Sequence, residues 1–295
     1  LNTIIHLEEN LKKHDYKNAC TQLIDSTFSL EGQTKAFAKL QQSTAIIAQK
    51  GLKNPLEAGA ASVDYLRQFA LVAMGYMWIQ MVEVAKEHNV LLMEALWTFF
   101  LPHFNYVIDV VKSEKFGKLK SLEADFGFFH PYDIEHRLFN KQLGGGSLLD
   151  IGIYPIFVAL SSLGKPKSIA AAATFFDNGA DSSCSLIFDY GITKAYLKSS
   201  LLEETPTEAI FTFEEAVVKL NTRFHESPIV TIYKDEKEEM LDFNYKTFGY
   251  SFEAAHFSQL IREGKKESNI MTFEFSKKLI STMDEVREII SLEYD

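Results

Sequence analysis

Cysteine is scarce in these 295 residues, and basic residues are outnumbered by acidic ones. The two cysteines, Cys20 and Cys184, make no disulfide framework and no metal-ligand spacing, a pattern typical of a reducing compartment such as the cytoplasm. Lys and Arg number 30 against 40 Asp and Glu, a net charge of -10 that would repel a phosphate backbone. We therefore expect no nucleic-acid partner.

Long apolar runs and metal-binding patterns are also missing. No apolar stretch reaches the roughly 20 residues that a membrane-spanning helix needs, so we expect no membrane partner. The eight histidines are widely spaced, and none of them falls in a metal-ligand pattern. We therefore expect no metal site.

The first 82 residues carry only helical signals. The motif Asn54-Pro55-Leu56-Glu57 places a capping Asn, a first-turn Pro and a Glu three residues after the cap, which is a strong helix start. Apolar residues recur at helical spacing from there to about residue 80. Residues 1–14 and residues 37–47 predict earlier helices, the second ending at Gly51. We expect a helical hairpin or bundle.

After residue 82 the pattern changes to alternating strands and helices. Strands are predicted at 90–96, 119–129, 168–176, 183–190, 193–202, 208–213, 216–221, 229–234 and 240–243. Helices are predicted at 100–115, from the glycine turn at 144–146 to residue 163, at 251–263 and at 273–292. Strands that follow one another through short turns indicate an antiparallel sheet. We therefore predict an α+β domain over residues 83–295, with a large, mostly antiparallel open sheet covered on one face by helices.

Apolar side chains alternate along several of these strands. The residues are Phe175, Ile187, Leu197, Phe211 and Phe213. Because an exposed apolar face normally marks an interface, we expect the second face of the sheet to be partly apolar and to form a homodimer.

The sharpest local signal is the glycine turn and the helix behind it. Gly145 and Gly146 allow a backbone to approach a flat ligand closely. Ser147 is placed to cap the helix that follows. Asp150 and Tyr154 are four residues apart and therefore share a helix face. A Tyr hydroxyl can exchange a proton with an alcohol oxygen, but a helix-turn Asp and a core Tyr explain the same spacing.

Several motifs together resemble the Gfo/Idh/MocA family, the family of glucose-fructose oxidoreductase and inositol dehydrogenase. They are Leu92-Met93-Glu94-Ala95-Leu96-Trp97-Thr98, Leu101-Pro102-His103, Arg137-Leu138-Phe139-Asn140, the glycine turn with Asp150 and Tyr154, and Leu163-Gly164-Lys165-Pro166. The resemblance runs from about residue 81 to the end and is greatest to the dihydrodiol dehydrogenase branch. It implies an oxidoreductase that uses NAD or NADP on a sugar-like or cyclic alcohol or carbonyl.

The resemblance also implies roles for individual residues. Tyr154 would donate or accept the proton, and Asp150 would orient the substrate. Trp97, Phe128 and Arg137 would contact the small-molecule substrate, although their residue types alone favour a core position for Trp97 and Phe128. The glycines at 145 and 146 would lie beside the cofactor.

Two family features are missing from the sequence. Members of the family begin with a Rossmann domain, whose G-x-G-x-x-G phosphate turn is absent here, and they carry a Glu-Lys-Pro signature that is also absent. Residues 1–80 instead resemble the C-terminal helical extension of acyl-CoA dehydrogenases, with a seam near residues 79–82. We therefore expect this chain to bind no cofactor by itself. Two alternatives stay open, a non-catalytic interaction or assembly module and a chimeric fragment related to acyl-CoA dehydrogenase.

Overall fold

The computed structural model describes residues 30–53, 65, 69, 91–246 and 249–294. The chain divides into two compact units, Leu1–Val90 with Asp295 and Leu91–Tyr294. In the first unit, helix α1 (Leu30–Lys53) confirms the helix expected around residues 37–47. It runs through Gly51 instead of ending there, and its last turn carries Lys50 and Lys53, which favour a helix C-terminus. The helices expected at residues 1–14 and 54–80 lie outside the described residues.

The second unit contains eight strands and four longer helices. The strands are β1 (Leu119–Gly127), β2 (Ser168–Phe175), β3 (Asp181–Asp189), β4 (Lys194–Ser200), β5 (Ala209–Phe213), β6 (Val217–Leu220), β7 (Ile229–Lys234) and β8 (Lys237–Asp242). The helices are α2 (Pro102–Lys112), α3 (Ile153–Leu163), α4 (Tyr250–Arg262) and α5 (Phe273–Ile289). These elements confirm the predicted strands from residue 119 onward and the predicted helices, with bounds shifted by a few residues.

All eight strands belong to one open sheet, in the order β2-β3-β4-β1-β5-β6-β7-β8. Every neighbouring pair is antiparallel except β1 and β4, which run parallel. The parallel pair follows from the connection, because α3 and the hairpin of β2 and β3 lie between β1 and β4 in the chain. The fold is α+β with a mostly antiparallel open sheet, as predicted.

Residues 91–96 form no strand, so the strand predicted at residues 90–96 is wrong for the part that the structure describes. An apolar run becomes a strand only beside another strand that pairs with its backbone. Here the amide of Leu92 donates instead to the carbonyl of Lys266, at 3.4 Å, in an irregular segment. The carbonyl of Leu96 then accepts from Phe99 as a 3-10 turn, Trp97–Phe100, begins.

One face of the sheet lies in the main core, under helices. Leu122, Leu186, Leu197, Phe211 and Val218 all point to this face and are at most 5% exposed. Their register explains why they meet, since Leu186 pairs with Leu197, Leu122 with Phe211, and Phe211 with Val218. Helix α3 packs on β1 and β4, and α5 packs on β2. The predicted helical cover of one face is therefore confirmed.

The second face is apolar only in part, and the residues proposed for it divide between the two faces. Phe175 and Ile187 are 44% and 41% exposed. Leu197, Phe211 and Phe213 are buried with the core, so their assignment to the second face is wrong. The register gives the reason: Ile187 pairs with Tyr196, and successive side chains of a strand point to opposite faces, so Leu197 turns inward.

One helical stretch, Lys141–Leu163, is long and apolar enough by composition to cross a membrane. Its most apolar window is 67% buried inside the protein. Burial of this kind is typical of a core helix, because the apolar side chains already have protein neighbours.

Candidate functional site

The helix that carries Asp150 and Tyr154 begins with a π-helical turn, Leu148–Gly152, which continues into α3. Its start is held by Asp181, the first residue of β3, whose Oδ2 accepts from the Leu148 amide and from the Ser147 hydroxyl, both at 2.7 Å. Ser147 itself has helical backbone angles and no capping bond, so the prediction that Ser147 caps this helix is wrong. The carboxylate of Asp181, from β3, caps the helix instead.

Tyr154 lies in a wall of aromatic rings. Trp97 Nε1 donates a hydrogen bond of 3.3 Å to the Tyr154 hydroxyl. The rings of Phe126 and His225 lie 5.5 and 5.4 Å from the Tyr154 ring, measured between centroids. The hydroxyl proton of Tyr154 has no acceptor among the residues that the structure describes. This arrangement leaves the proton available to an oxygen of a ligand.

The electrostatic surroundings keep Tyr154 protonated. Burial is the main cause that raises the pKa of the hydroxyl, and the nearby charges of Asp150 and Glu226 raise it further. The Trp97 hydrogen bond acts in the opposite direction, since it favours the phenolate. At neutral pH the hydroxyl therefore keeps its proton.

Asp150 is paired with Arg137. Arg137 Nη1 lies 2.7 Å from Asp150 Oδ1, with the Arg side chain 69% exposed and the Asp side chain 24% exposed. The pair fixes one carboxylate oxygen and leaves the second without a hydrogen bond to any described residue. An oriented carboxylate of this kind can accept a hydrogen bond from a ligand hydroxyl.

The structure brings some of the predicted site residues together. Trp97 contacts Tyr154, and Arg137 contacts Asp150. The ring of Phe128 lies 6.4 Å from that of Phe126, which in turn packs beside Tyr154. Phe128 also packs on a small separate cluster, which is made of Leu138, Phe139, Ile151 and Leu201.

His225 is a member of the site that the sequence analysis missed. Its ring stacks on Phe126 at 4.6 Å and lies edge-on to Trp97 at 5.9 Å. Burial lowers its pKa to about 4, so the imidazole is neutral. No local pattern marks this residue, because all of these ring contacts come from distant parts of the chain.

Phe126 and Asp181 were missed as well, although each carries a signal. Phe126 follows from the alternation of β1, which places it on the same face as the buried Leu122 and Ala124. Asp181 is fully buried, and a charged residue at the start of an apolar strand predicts a specific partner.

The glycine turn is packed against this chain's own atoms. A Cβ on Gly145 would lie 2.7 Å from the Arg137 carbonyl oxygen, and one on Gly146, whose φ is +133°, would lie 2.1 Å from Asp181 Oδ1. The amides of Gly144, Gly145 and Gly146 all donate to carbonyls of residues 138–141, at 2.9 to 3.1 Å. A phosphate cradle needs free backbone amides. The turn therefore does not fit the phosphates of a dinucleotide, and the internal contacts explain its glycines.

No group of three or more His, Cys, Asp and Glu side chains that could hold a metal ion occurs within residues 30–53, 91–246 and 249–294. A groove of about 480 Å³ opens at the turns after β5 and β7, where Glu214, Glu215, Tyr233 and Asp235 line it. None of the predicted site residues lines this groove. The aromatic wall around Tyr154 therefore stays the stronger candidate site.

Comparison with protein families gives two matches. The acetyl-CoA dehydrogenase C-terminal-like family matches residues 28–95, and the GFO/IDH/MocA C-terminal domain matches residues 104–219. The first match extends beyond the seam expected near residues 79–82. Two different family assignments therefore follow each other along one chain.

Solved structures share the fold. An aldose-aldose oxidoreductase from Caulobacter crescentus, in complex with glycerol, is 17% identical and has a TM-score of 0.62, over 78% of this chain and 66% of its own. A 3-ketoreductase from Actinomadura kijaniata, in complex with NADP and TDP-benzene, is 22% identical with a TM-score of 0.61, over 72% and 66%.

Curated relatives are closer in sequence. Trans-1,2-dihydrobenzene-1,2-diol dehydrogenase of Xenopus laevis is 31% identical over 226 residues, 73% of this chain and 67% of that protein. The NADP-dependent scyllo-inositol 2-dehydrogenase of Bacillus subtilis is 28% identical over 221 residues, with the same coverage. The chain thus spans about two thirds of the length of these relatives. By these matches the chain belongs to the Gfo/Idh/MocA family of oxidoreductases.

Proposed function

We propose that the unit Leu91–Tyr294 is the substrate-binding and proton-exchanging half of an NAD- or NADP-dependent oxidoreductase. Its substrate is a sugar-like or cyclic small molecule that reacts at a ring alcohol or carbonyl. The names of the relatives support this class, since they act on a cyclic diol and on an inositol. The site supports it as well, because the hydroxyl proton of the partly buried Tyr154 faces no acceptor in the described chain.

The observation that carries the proposal is the bonding of Tyr154. Its oxygen accepts a hydrogen bond from Trp97 Nε1, and its own O–H has no acceptor among the described residues. Burial raises the pKa of Tyr154, so the group holds its proton at neutral pH and can donate it to a developing alkoxide. In the reverse direction the phenolate left by this transfer would accept the proton of an alcohol.

The other predicted residues take supporting roles in this proposal. The free oxygen of Asp150 would accept a hydrogen bond from a substrate hydroxyl, while Arg137 holds the carboxylate in place. Trp97 and Phe128 would give the substrate ring an apolar surface. Such a wall favours a flat or cyclic molecule over an open chain.

Cofactor binding by this chain alone would be weak. The sequence carries no G-x-G-x-x-G motif, and the turn at Gly144–Gly146 has no amide to give to a phosphate. The described residues of this turn therefore do not fit a dinucleotide. Gly145 and Gly146 act through packing against Arg137, Asn140 and Asp181 instead.

We also propose that the unit pairs with a second copy through the open face of the sheet. Ile187, Tyr196, Tyr233 and Met240 on that face are 39% to 58% exposed. The scarcity of cysteine supports a reducing location such as the cytoplasm. The same exposed face supports the second candidate, an interaction module without catalysis, so ligand binding at Tyr154 is the feature that separates the two.

The test titrates the whole chain with scyllo-inositol, and separately with NAD and NADP, by calorimetry and by NMR of the tryptophan indole protons. We expect millimolar or tighter binding of the polyol, with a shift of the Trp97 signal that Tyr154→Phe reduces. We expect no nucleotide binding in the low micromolar range, which corresponds to about -8 kcal/mol. Absence of polyol binding contradicts the substrate-binding function, and tight nucleotide binding contradicts the cofactor part.

A further inference from the structure

His225 is buried among aromatic rings although it is a polar residue. It is 5% exposed, and Phe126, Trp97 and Tyr154 surround its ring. Its Nδ1 is sealed from solvent without a hydrogen-bonding partner. No described residue bonds to Nε2 either. Buried polar atoms without partners are rare in proteins, and each calls for an explanation.

The backbone around His225 is fixed at three successive carbonyls. The carbonyl of Phe224 accepts from His103 Nε2 at 2.8 Å, that of His225 from the Thr98 hydroxyl at 3.3 Å, and that of Glu226 from the Tyr245 hydroxyl at 2.8 Å. These bonds use main-chain atoms only. They therefore hold the imidazole in position without engaging either of its nitrogens.

Packing alone does not explain an imidazole at this position. A Phe ring would make the same stacking contacts and would leave no buried polar atom unpaired. The structure thus preserves a preorganised polar group in the wall beside the Tyr154 ring, 5.4 Å away between centroids. Preorganised polar groups in apolar walls are typical of ligand recognition.

The tautomer of His225 follows from its surroundings. Burial lowers the pKa to about 4, so the ring carries a single proton at neutral pH. A buried N–H without an acceptor is rarer than a buried acceptor without a donor. The proton therefore belongs on Nε2 rather than on the sealed Nδ1.

We propose that His225 is a specificity-determining residue whose Nε2–H donates a hydrogen bond to a second oxygen of the substrate, next to the oxygen served by Tyr154. The preferred substrate is then a vicinal diol or polyol on one small ring, because neighbouring oxygens of such a ring reach both residues. This inference rests on the proposed function of the Tyr154 site.

The experiment uses the full chain and two probes that differ by one hydroxyl, trans-cyclohexane-1,2-diol and cyclohexanol. Affinities are measured by NMR titration for the wild type, His225→Phe, His225→Gln and Tyr154→Phe. The wild type prefers the diol by about fivefold, roughly the contribution of one neutral hydrogen bond. His225→Phe removes this preference, His225→Gln keeps part of it, and Tyr154→Phe weakens both probes. The control His130→Phe changes a histidine outside the site and leaves both affinities unchanged.

A second measurement does not depend on any variant. The 15N signals of the His225 imidazole in the wild type shift at Nε2 when the diol is added, and not when cyclohexanol is added. An unchanged diol preference in folded His225→Phe, or an Nε2 signal that ignores the diol, overturns the inference. Equal binding of both probes by the wild type overturns the inference but not the proposed function, whereas binding of neither probe overturns both.

Discussion

The indole nitrogen of Trp97 donates a 3.3 Å hydrogen bond to the hydroxyl of Tyr154, which lies 57 residues further along the chain. Trp97 belongs to the 3-10 turn before α2, and Tyr154 belongs to the first turn of α3. The bond therefore joins the two helical segments that form the walls of the site.

Replacement of Tyr154 by Phe tests the proton transfer directly. When a nucleotide-binding domain of the family is joined ahead of residue 83, we expect oxidation of a ring alcohol, and Tyr154→Phe should lower its rate by about 10²- to 10⁴-fold. The change keeps the ring and removes only the hydroxyl. Steady-state rates are the measurement, with circular dichroism to verify folding.

Tyr190→Phe is the matched control, because Tyr190 is also a partly buried tyrosine but bonds to the backbone carbonyl of Gly164 outside the site. Its rate should match that of the parent protein. Nearly full activity in Tyr154→Phe would identify Tyr154 as a core residue.

Asp181→Ala should destabilise the start of the helix that carries the site. The change leaves the Ser147 hydroxyl and the Leu148 amide without their acceptor, at a cost of about 2 kcal/mol in the free energy of unfolding. Denaturant unfolding gives the cost, and hydrogen exchange at the Leu148 amide locates it. Asp177→Ala, at an exposed position four residues earlier, should change stability by less than about 0.5 kcal/mol. Equal effects of the two variants would exclude the capping role.

Acid should destabilise the second unit through two buried histidines. Burial lowers the pKa of His103 and of His225 from 6.5 to about 4. Between these values the unfolded state binds protons that the folded state excludes, so stability is complete above about pH 6.5 and falls as the pH drops towards 4. The effect is on the order of 3 kcal/mol for each histidine. The pKa of Asp181 is raised mainly by burial. This carboxyl therefore stabilises the folded protein as the pH falls, and it offsets part of the loss caused by the histidines.

Unfolding in denaturant between pH 7 and pH 4.5 measures this dependence. His225→Phe should remove the part of the slope that comes from His225. A slope that stays the same in His225→Phe would show that His225 is protonated alike in both states.

Pairing through the open face of the sheet predicts a dimer in solution. Equilibrium ultracentrifugation of the full chain should give a dimer at tens of micromolar, and Tyr196→Lys should shift the equilibrium towards monomer. The control is Ile192→Lys, which changes an 81% exposed side chain in the turn between β3 and β4. A monomer in the parent protein, or equal effects of both substitutions, would contradict this interface.

Local patterns in the sequence were sufficient for most elements of the sheet. The strands β2 to β8 alternate and end at turn residues, so each was predicted within a few positions. Residues 91–96 carry an equally apolar pattern but form no strand, because strand formation also requires a partner whose backbone is in reach. Leu197 and Ile187 likewise point to opposite faces because of the register between β3 and β4. Alternation in the sequence describes one strand at a time and does not give its register with a neighbour.

The site was predictable where its residues are close in sequence. Asp150 and Tyr154 lie on one helix next to a glycine turn, and this spacing together with the family resemblance selected them as candidates. His225 and Asp181 join the site from other strands and loops, and only tertiary packing places them there. The assignment of Ser147 as a cap failed for the same reason, since a distant carboxylate competes for the helix start.

Because β1 pairs with β4, the nascent chain must grow well past β1 before this pair can form. Ser121 in β1 pairs with Lys194, 73 positions later. A ribosome adds about 5–20 residues per second, so β1 is synthesised roughly 4–15 s before β4, its parallel neighbour. During that interval both edges of the future central strand are open, because its other neighbour, β5, comes later still. The middle of this sheet is therefore the part most exposed to wrong pairing during synthesis, and its folding would gain most from slow release or from a chaperone that covers β1.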